Sequence, residues 1–264
     1  MADIESQIKT LKDLIPKFLP GHSVDCVIFG YEEKELKVLL LNWKQMDLWA
    51  LPGGFIFKDE SMDDAAQRVL EERTGLSSIF LKQFHTFGKI KRSDHSQQEH
   101  HKKIMALMKP NKQDQQIFID WFDHRFITTG YFALTDIGKA TPRPDFLSDR
   151  CEWKNVSELP ELIIDHAEII QQAMHQLKIQ LNYLPIGISL LPEKFTMIDL
   201  QKLYEAILGR SLERSNFQRK ILKIGFLDRH EKLMSGAANK APYLYSFNSS
   251  KYEQLLEEGI GFRY

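Results

Sequence analysis

Apolar residues recur three and four positions apart through the first 20 residues, which predicts an amphipathic helix ended by Pro20 and Gly21. Two runs rich in aliphatic residues follow, at residues 24–29 and 37–41. The charged stretch 32–35 separates them, so together they predict a β-hairpin. This part of the chain therefore reads as a helix leading into a sheet.

The middle of the chain alternates between helix and strand patterns. A helix is predicted from the N-cap Ser61 to Gly75, and a strand over residues 125–134. Between them, residues 89–124 form a polar insertion that predicts a surface excursion with one short helix. A long helical pattern over residues 164–181 follows Pro160 and predicts a connecting helix.

The last 80 residues predict a second domain. A short strand is expected at residues 186–191, then a helix from Thr196 to Gly209, begun by a Thr-x-x-Asp capping signal. A second helix is expected over residues 213–224, and two strands over 226–233 and 243–247. The order helix, strand, helix, helix, strand, strand resembles a winged helix, a variant of the helix-turn-helix.

Composition agrees with two globular domains. The chain has 264 residues, of which 43% are hydrophobic and 27% charged, enough to form two cores. The two cysteines, Cys26 and Cys151, fit no metal or redox spacing and are expected to be buried thiols. Because no signal peptide and no membrane-length apolar run is visible, we expect a cytoplasmic protein without membrane contact.

A motif at residues 54–76 resembles the Nudix box, a loop-helix-loop of 23 residues. The seven matching positions in register are Gly54, Glu60, Arg68, Leu70, Glu72, Gly75 and Leu76. The resemblance implies a mixed sheet between helices, with a pocket above the Nudix helix for a nucleoside diphosphate linked to another group. The alternative is a surface helix with a stripe of ion pairs formed by Asp64, Arg68 and Glu72.

Two departures from the Nudix pattern change the expected chemistry. The family places three glutamates at the positions of Val69, Glu72 and Arg73, where they bind the Mg²⁺ ions that assist pyrophosphate hydrolysis. Here the formal charge of the trio is zero rather than −3, and an arginine repels a metal ion. We therefore expect no metal cofactor and no useful hydrolysis. The alternative is a weak hydrolase with Mg²⁺ held by Glu60, Glu72, Asp63 and Asp64.

The implied pocket has candidate effector contacts. Lys58 and Arg73 are candidates for phosphate contacts, and Trp49, Phe55 and Phe57 for stacking against a base. For each of these residues, ordinary packing or solvent exposure is the alternative.

Charge supports the winged-helix interpretation. Eight lysines and arginines occur between residues 210 and 240, against three acids, although the net charge of the whole chain is −1. Clustered cations of this kind favour binding to phosphates. We assign Asn216 and Arg219 to base edges in the major groove, and the other DNA contacts are Arg214, Ser215, Lys220 and Lys240. The alternative is a basic helix that binds protein.

Together the motifs resemble the family of Nudix-related transcriptional regulators over nearly the whole chain. The fold class is α+β, a Nudix-fold α/β/α sandwich followed by a winged helix-turn-helix domain. The boundaries are 1–20 for the N-terminal helix, 21–160 for the effector-binding domain, 161–183 for the connecting helix and 184–264 for the DNA-binding domain.

The resemblance implies a homodimeric repressor that binds a palindromic double-stranded DNA operator and releases it when a small molecule binds. The effector implied is a sugar, a sugar phosphate or an ADP-ribose-like metabolite. The N-terminal and connecting helices are the candidates for dimer contacts. Two alternatives stay open, a Nudix hydrolase with an appended regulatory domain and a protein-binding adaptor. His95, Glu99, His100 and His101 suggest a metal site less strongly than a solvated loop.

Overall fold

The computed structural model describes residues 9–43, 47–77, 80–93, 112–122, 124–145, 147–181, 188–233 and 241–258. The chain forms two compact units. The first comprises residues 1–28, 38–133 and 140–173, and the second comprises residues 29–37, 134–139 and 174–264. The second unit thus takes in the end of the predicted connecting helix and two short segments from earlier in the chain.

The first unit is built on a sheet of seven strands within the described ranges, in which β3, β2, β1, β6 and β5 are neighbours in that order. Strand β4 pairs with β1, and β7 pairs with β2. The strands are β1 (Phe18–Glu32), β2 (Glu35–Trp43), β3 (Trp49–Ala50), β4 (Gly53–Phe57), β5 (Leu81–Phe87), β6 (Ile127–Thr135) and β7 (Ser148–Asn155).

The predicted hairpin is confirmed and is longer than the sequence pattern suggested. Strands β1 and β2 are joined by Glu33 and Lys34, which both have positive φ angles, of 53° and 67°. Two consecutive residues of this conformation form the turn whose twist matches that of paired strands.

The predicted Nudix helix is also confirmed. Helix α2 (Met62–Thr74) begins at Ser61, whose hydroxyl accepts a hydrogen bond from the Asp64 amide, and ends at Gly75 in the left-handed conformation. Its buried face comprises Ala65, Ala66, Val69, Leu70 and Thr74. This face packs in a core with Val24, Cys26 and Ile28 of β1, so the helix is fixed to the sheet.

The N-terminal helix ends earlier than predicted. Helix α1 is described over residues 9–14, and a 3-10 turn, Ile15–Lys17, precedes strand β1. Pro16 lacks the amide hydrogen that a continuing helix needs. Phe18, predicted to lie on the helix, instead pairs with Phe57 of β4.

The insertion is less exposed at its C-terminal end than the sequence suggested. It begins with a 3-10 turn, Ile90–Ser93, and ends with α3 (Lys112–Phe122). Phe118 and Trp121 of α3 are buried in a core cluster with Leu11 and Phe18, so this part of the insertion is not a surface excursion. The candidate residues His95, Glu99, His100 and His101 lie outside the described residues.

The second unit contains two helices in helix-turn-helix order and a small sheet. Helix α4 (His166–Gln180) leads into it from the first unit, and is followed by α5 (Met197–Leu208) and α6 (Arg214–Ile224). Strands β8 (Phe195–Thr196), β9 (Leu227–Lys232) and β10 (Tyr243–Phe247) form a three-stranded sheet in the order β8, β10, β9. The final helix, α7 (Ser249–Glu258), was not predicted from the sequence.

The strand predicted at residues 186–191 is wrong, because Ile188–Leu190 form a 3-10 turn. The place beside β10 is taken by β8, where Phe195 pairs with Tyr245 and Thr196 with Leu244. The predicted caps of the following helix are confirmed, since Thr196 begins α5 and Gly209 ends it.

Candidate functional site

A cavity of about 420 Å³ lies in the first unit beside the Nudix helix. Its aromatic wall is formed by Phe18, Phe55, Phe57, Phe122 and Phe126. The Phe18 ring stacks against that of Phe57, with centroids 4.8 Å apart, and Phe55 lies 5.3 Å from Phe126. Leu11 and Leu14 of α1 line the cavity as well, which explains why the N-terminal helix packs here.

Glu60 and Arg68 of the Nudix box form an ion pair at the edge of the cavity. The two Arg68–Glu60 contacts are 2.6 and 3.1 Å, and Arg68 also donates to the carbonyl oxygen of Phe55 at 2.9 Å. Burial raises the pKa of the Glu60 carboxyl, but the hydrogen bonds from Arg68 and the Phe57 amide lower it further, so the net pKa is below its ordinary value. This pair ties the loop to the helix.

The three positions that carry glutamates in the hydrolase pattern have separate environments. The Val69 side chain is buried in the core, and a Cβ on Gly54 would lie 2.9 Å from its Cγ2 atom. Glu72 is exposed and pairs with Arg68 and Arg73 at 3.5 and 3.1 Å. Arg73 lines the cavity, donates to the Pro144 carbonyl oxygen at 3.3 Å, and has a buried Nε atom with no hydrogen-bond partner.

The other carboxylates of the motif are engaged in local structure. Asp63 accepts a hydrogen bond from the Tyr131 hydroxyl at 2.5 Å, and Asp64 caps α2 through Ser61. Within the ranges that the structure describes, no group of three or more His, Cys, Asp and Glu side chains is arranged to hold a metal ion.

A buried polar cluster that the sequence reasoning missed forms another wall of the cavity. Arg92 contacts Asp165 at 2.7 Å and Asp25 at 3.2 Å, and the cavity is lined by Asp25, Arg92 and His166. One sequence signal was Asp25 itself, an acid inside the apolar run at residues 24–29. Gly53 lies against Asp25 and leaves no room for a side chain, because a Cβ atom added to Gly53 would lie 2.6 Å from Asp25 Oδ1.

His166 is held in one tautomer by its surroundings. Its Nδ1 atom accepts a hydrogen bond from the Leu51 amide at 2.9 Å, so the proton of the neutral ring is on Nε2, which lies 3.8 Å from Asp25 Oδ1. Burial lowers the pKa of the imidazole, and Asp25 only partly opposes that effect. The ring is therefore neutral near pH 7.

The candidate effector residues divide into two groups. Phe55, Phe57 and Arg73 line the cavity, as the sequence analysis required. Trp49 is buried below Lys154, whose Nζ lies 4.2 Å from the ring centroid, and it is not part of the cavity wall. Lys58 donates to the Pro16 carbonyl oxygen at 2.7 Å and is likewise not part of that wall.

The predicted DNA-contacting side chains of α6 share one exposed surface. Phe217 and Ile221 are buried, whereas the exposed residues are Arg214, Ser215, Asn216, Arg219 and Lys220. The carboxylate of Glu213 accepts hydrogen bonds from the Ser215 and Asn216 amides at 2.8 and 2.6 Å. This N-cap fixes the start of the helix while the cations remain at the surface.

The turn between α5 and α6 is fixed by two polar contacts. Glu205 accepts a hydrogen bond from the Leu212 amide at 2.8 Å, and Gln201 donates to the Leu212 carbonyl oxygen at 2.9 Å. The backbone and side-chain hydrogen bonds to Glu205 lower the pKa of its carboxyl to about 2. Helix α6 is thus held at a set angle to α5.

The hairpin β9–β10 carries two further cations, which lie against one aromatic ring. The Arg229 guanidinium lies 4.7 Å from the Tyr243 ring centroid, and Lys232 Nζ lies 5.3 Å from it. Both cations belong to the basic stretch 210–240, but neither they nor Tyr243 were among the predicted DNA contacts. Lys240 lies outside the described residues.

Two further predictions concern the cysteines and membrane contact. Cys26 is buried, but Cys151 is only partly buried. Among the helices of the described ranges, none is long and apolar enough to cross a membrane.

Two protein families match the chain. The NUDIX domain matches residues 19–173, and the NrtR DNA-binding winged helix domain matches residues 187–247. The first match covers the cavity apart from the lining residues before residue 19, and the second covers the basic helix.

Individual relatives agree with these matches. The ADPR responsive transcriptional repressor NtrR of Acinetobacter baylyi is 31% identical over 242 residues, which are 89% of this chain and 84% of that protein. The crystal structure of Shewanella oneidensis NrtR complexed with a 27mer DNA has a TM-score of 0.65 and 25% identity, covering 88% of this chain and 95% of that one. An RNA pyrophosphohydrolase of Bartonella clarridgeiae is 28% identical over 172 residues, which are 61% of this chain and 91% of that protein.

A Nudix domain joined to a winged helix defines a class of DNA-binding regulators that carry a small-molecule domain. The Acinetobacter baylyi protein, which matches across both domains, is a transcriptional repressor, and the Shewanella oneidensis protein, which also does, was crystallised with DNA. The chain belongs to the NrtR family of transcriptional regulators.

Proposed function

We propose that the chain is a repressor that binds operator DNA through α6 and the β9–β10 hairpin, and that an ADP-ribose-type metabolite in the cavity releases the DNA. The observation that carries the proposal is Arg73, a cation that lines the cavity from a position where Nudix hydrolases carry a metal-binding glutamate. A sugar or sugar phosphate is the competing effector class.

The cavity offers complementary chemistry for a nucleoside diphosphate derivative. Its aromatic wall suits apolar contact with a base, since Phe55 and Phe57 line the cavity. Arg73 suits the pyrophosphate, because a guanidinium forms paired hydrogen bonds with phosphate oxygens.

The same residues argue against hydrolysis and against a metal cofactor. Buried Val69 removes one ligand from the trio, and Arg73 places a positive charge where the metal would sit. At about 4 Å, in a partly polar site, two unit positive charges repel by about 4 kcal/mol. The effector is therefore bound without Mg²⁺ and is not turned over.

The DNA contact of the proposal rests on the exposed surface of α6. Asn216 and Arg219 lie near the N-terminal end of the helix, where Arg219 donates to Asn216 at 3.0 Å. This arrangement suits a helix presenting its first turns to the major groove. A homodimer belongs to the same proposal, since two copies would match a palindromic operator. Light scattering on the purified chain tests that part.

DNA release tests the central proposal. A binding sequence is first selected from a random DNA pool, and fluorescence anisotropy then follows its complex with the protein as ADP-ribose is added. We expect ADP-ribose to release the DNA in EDTA, whereas AMP together with ribose 5-phosphate does not. Arg73→Gln should bind DNA normally but lose the response, and Arg150→Gln, outside the cavity, is the matched control.

Each alternative predicts a distinct result. Mg²⁺-dependent conversion of ADP-ribose at ordinary enzyme rates, lost in Glu72→Gln, would make the chain a hydrolase. Release of the DNA by free sugars alone would show that the effector is a sugar rather than an ADP-ribose-type metabolite. Binding of neither DNA nor metabolites would favour a protein-binding adaptor.

A further inference from the structure

The cavity has a polar wall whose chemistry differs from that of the aromatic wall and of Arg73. Asp25, Arg92 and His166 line it, and more than nine-tenths of each side chain is buried, with exposed fractions of 9%, 7% and 6%. Polar groups at this depth are costly unless each is matched by a partner. Arg92 is matched by Asp25 and Asp165, so the buried charges hold one another at fixed positions on the wall.

The segment that carries this wall is strained. Ile164 lines the cavity and has a φ angle of 55°, which β-branched residues rarely adopt. The preceding residue, Ile163, is anchored by its amide, which donates to the Trp49 carbonyl oxygen at 2.9 Å. The turn at Ile164 brings Asp165 and His166 to Arg92 and Asp25. Backbone strain of this kind concentrates at ligand sites.

The donors and acceptors of the wall alternate over a short distance. The Asp25 carboxylate is an acceptor, and the neighbouring His166 Nε2–H is a donor. Asp165, which is not part of the cavity wall, holds Arg92 in place through its Oδ2 atom, 2.7 Å from Arg92 Nε. With His166 neutral, two carboxylates face one guanidinium, so the cluster has a formal charge of −1. That charge disfavours phosphate at this wall.

We propose that this wall, formed by Asp25, Arg92 and His166, binds the cis-diol of a ribose in the effector. Each hydroxyl of a diol donates one hydrogen bond and accepts others, which matches a carboxylate beside an N–H group. The inference rests on the proposed function and deepens it, because it makes the ribose hydroxyls the feature that distinguishes the effector from other diphosphates.

Calorimetry with hydroxyl-deleted ligands tests the inference. ADP-ribose is compared with two analogues, one lacking the 2′-hydroxyl of the adenosine ribose and one lacking the 2″-hydroxyl of the terminal ribose. We expect one analogue to bind wild-type protein roughly 10- to 100-fold more weakly, because the deleted hydroxyl leaves buried groups unpaired. The analogue affected identifies which ribose lies at the wall.

Substitutions of wall residues test whether the wall causes the preference for ADP-ribose over the weaker analogue. In Asp25→Asn the preference for ADP-ribose over the weak analogue should shrink to less than about threefold. His166→Gln serves the same purpose if thermal melting shows that Asp25→Asn does not fold. Asp149→Asn, an exposed carboxylate outside the cavity wall, should keep the full preference.

The outcomes separate this inference from the proposed function. If wild type binds ADP-ribose and both analogues with equal affinity, the wall does not bind the ribose hydroxyls. In that case only this inference fails. A preference that persists in both wall variants overturns it in the same way. If ADP-ribose does not bind wild type at all, the proposed function fails and this inference falls with it.

Discussion

The guanidinium of Arg68 donates to both carboxylate oxygens of Glu60, at 2.6 and 3.1 Å. Both residues match the Nudix pattern, whereas two of the three positions that carry metal-binding glutamates in that pattern do not. It connects the loop before α2 to the middle of the helix and leaves the Glu60 side chain only 15% exposed. The motif here acts as a scaffold that shapes one side of the cavity.

Glu60→Gln should lower the free energy of unfolding of the first unit by about 1–3 kcal/mol, because it leaves the partly buried Arg68 without its charged partner. Glu72→Gln is the matched control. It breaks a 3.5 Å contact to the same arginine, but Glu72 is 44% exposed, so we expect a loss below about 0.5 kcal/mol.

Tryptophan fluorescence during urea unfolding measures this difference. The four tryptophans, Trp43, Trp49, Trp121 and Trp153, all lie in the first unit, so the signal reports that unit. Equal losses in the two variants would show that the Glu60 pair has no special role.

Restoring a glutamate at position 69 should not restore a metal site. The Val69 side chain is buried against Gly54, so Val69→Glu should cost at least about 3 kcal/mol through burial of a polar group without a partner. Val69→Ala removes volume without adding charge and should cost about 2 kcal/mol. Urea unfolding with and without Mg²⁺ compares them. Stabilisation of Val69→Glu by Mg²⁺ would mean that the position still reaches the metal.

Removing Arg219 and Lys220 together should weaken DNA binding at least about 100-fold at physiological salt. The slope of log affinity against log salt should become shallower by about 0.9 for each of the two side chains that contacts a phosphate, and by about 1.8 if both do. Arg219→Ala plus Lys220→Ala is compared by anisotropy with Lys82→Ala, an exposed lysine of β5. Unchanged affinity and slope in the double variant would place the DNA contact elsewhere.

Acid should loosen the turn before α6. The pKa of Glu205 falls from an ordinary value of 4.5 to about 2 in the folded chain. A carboxyl with a depressed pKa stabilises the fold above its unfolded pKa, and this contribution is lost as the pH falls from about 4.5 towards 2. Glu205→Gln should therefore flatten the decline of the melting temperature over this pH window, followed by circular dichroism. If the melting temperature of Glu205→Gln declines with falling pH as it does in wild type, other carboxyls control the acid sensitivity.

The sequence predicted those elements whose signals are local. Ser61 and Gly75 bound α2 as expected, and Thr196 and Gly209 bound α5, because caps depend on a few neighbouring residues. The exposed face of α6 was also predictable, since the spacing of Phe217 and Ile221 sets which side is buried. The features of α5 and α6 support the proposed DNA contact.

What depended on distant partners was not predictable. Phe18 was predicted to lie on the N-terminal helix but pairs with Phe57 in the sheet, and Phe195 and Thr196, rather than residues 186–191, pair with β10. The polar wall of the cavity joins residues from three separate parts of the chain, Asp25, Arg92 and His166, and no spacing rule connects them. Trp49 likewise looked suitable for stacking, but its ring is used in packing.

Calorimetric titration of ADP-ribose, in EDTA and again in excess Mg²⁺, tests the central claim that Arg73 takes the place of a metal ion. The account predicts equal affinities in the two buffers, no slow heat of hydrolysis, and a loss of at least about tenfold in Arg73→Gln, which corresponds to about 1.4 kcal/mol. Binding that appears only with Mg²⁺, or is unaffected by Arg73→Gln, would contradict it.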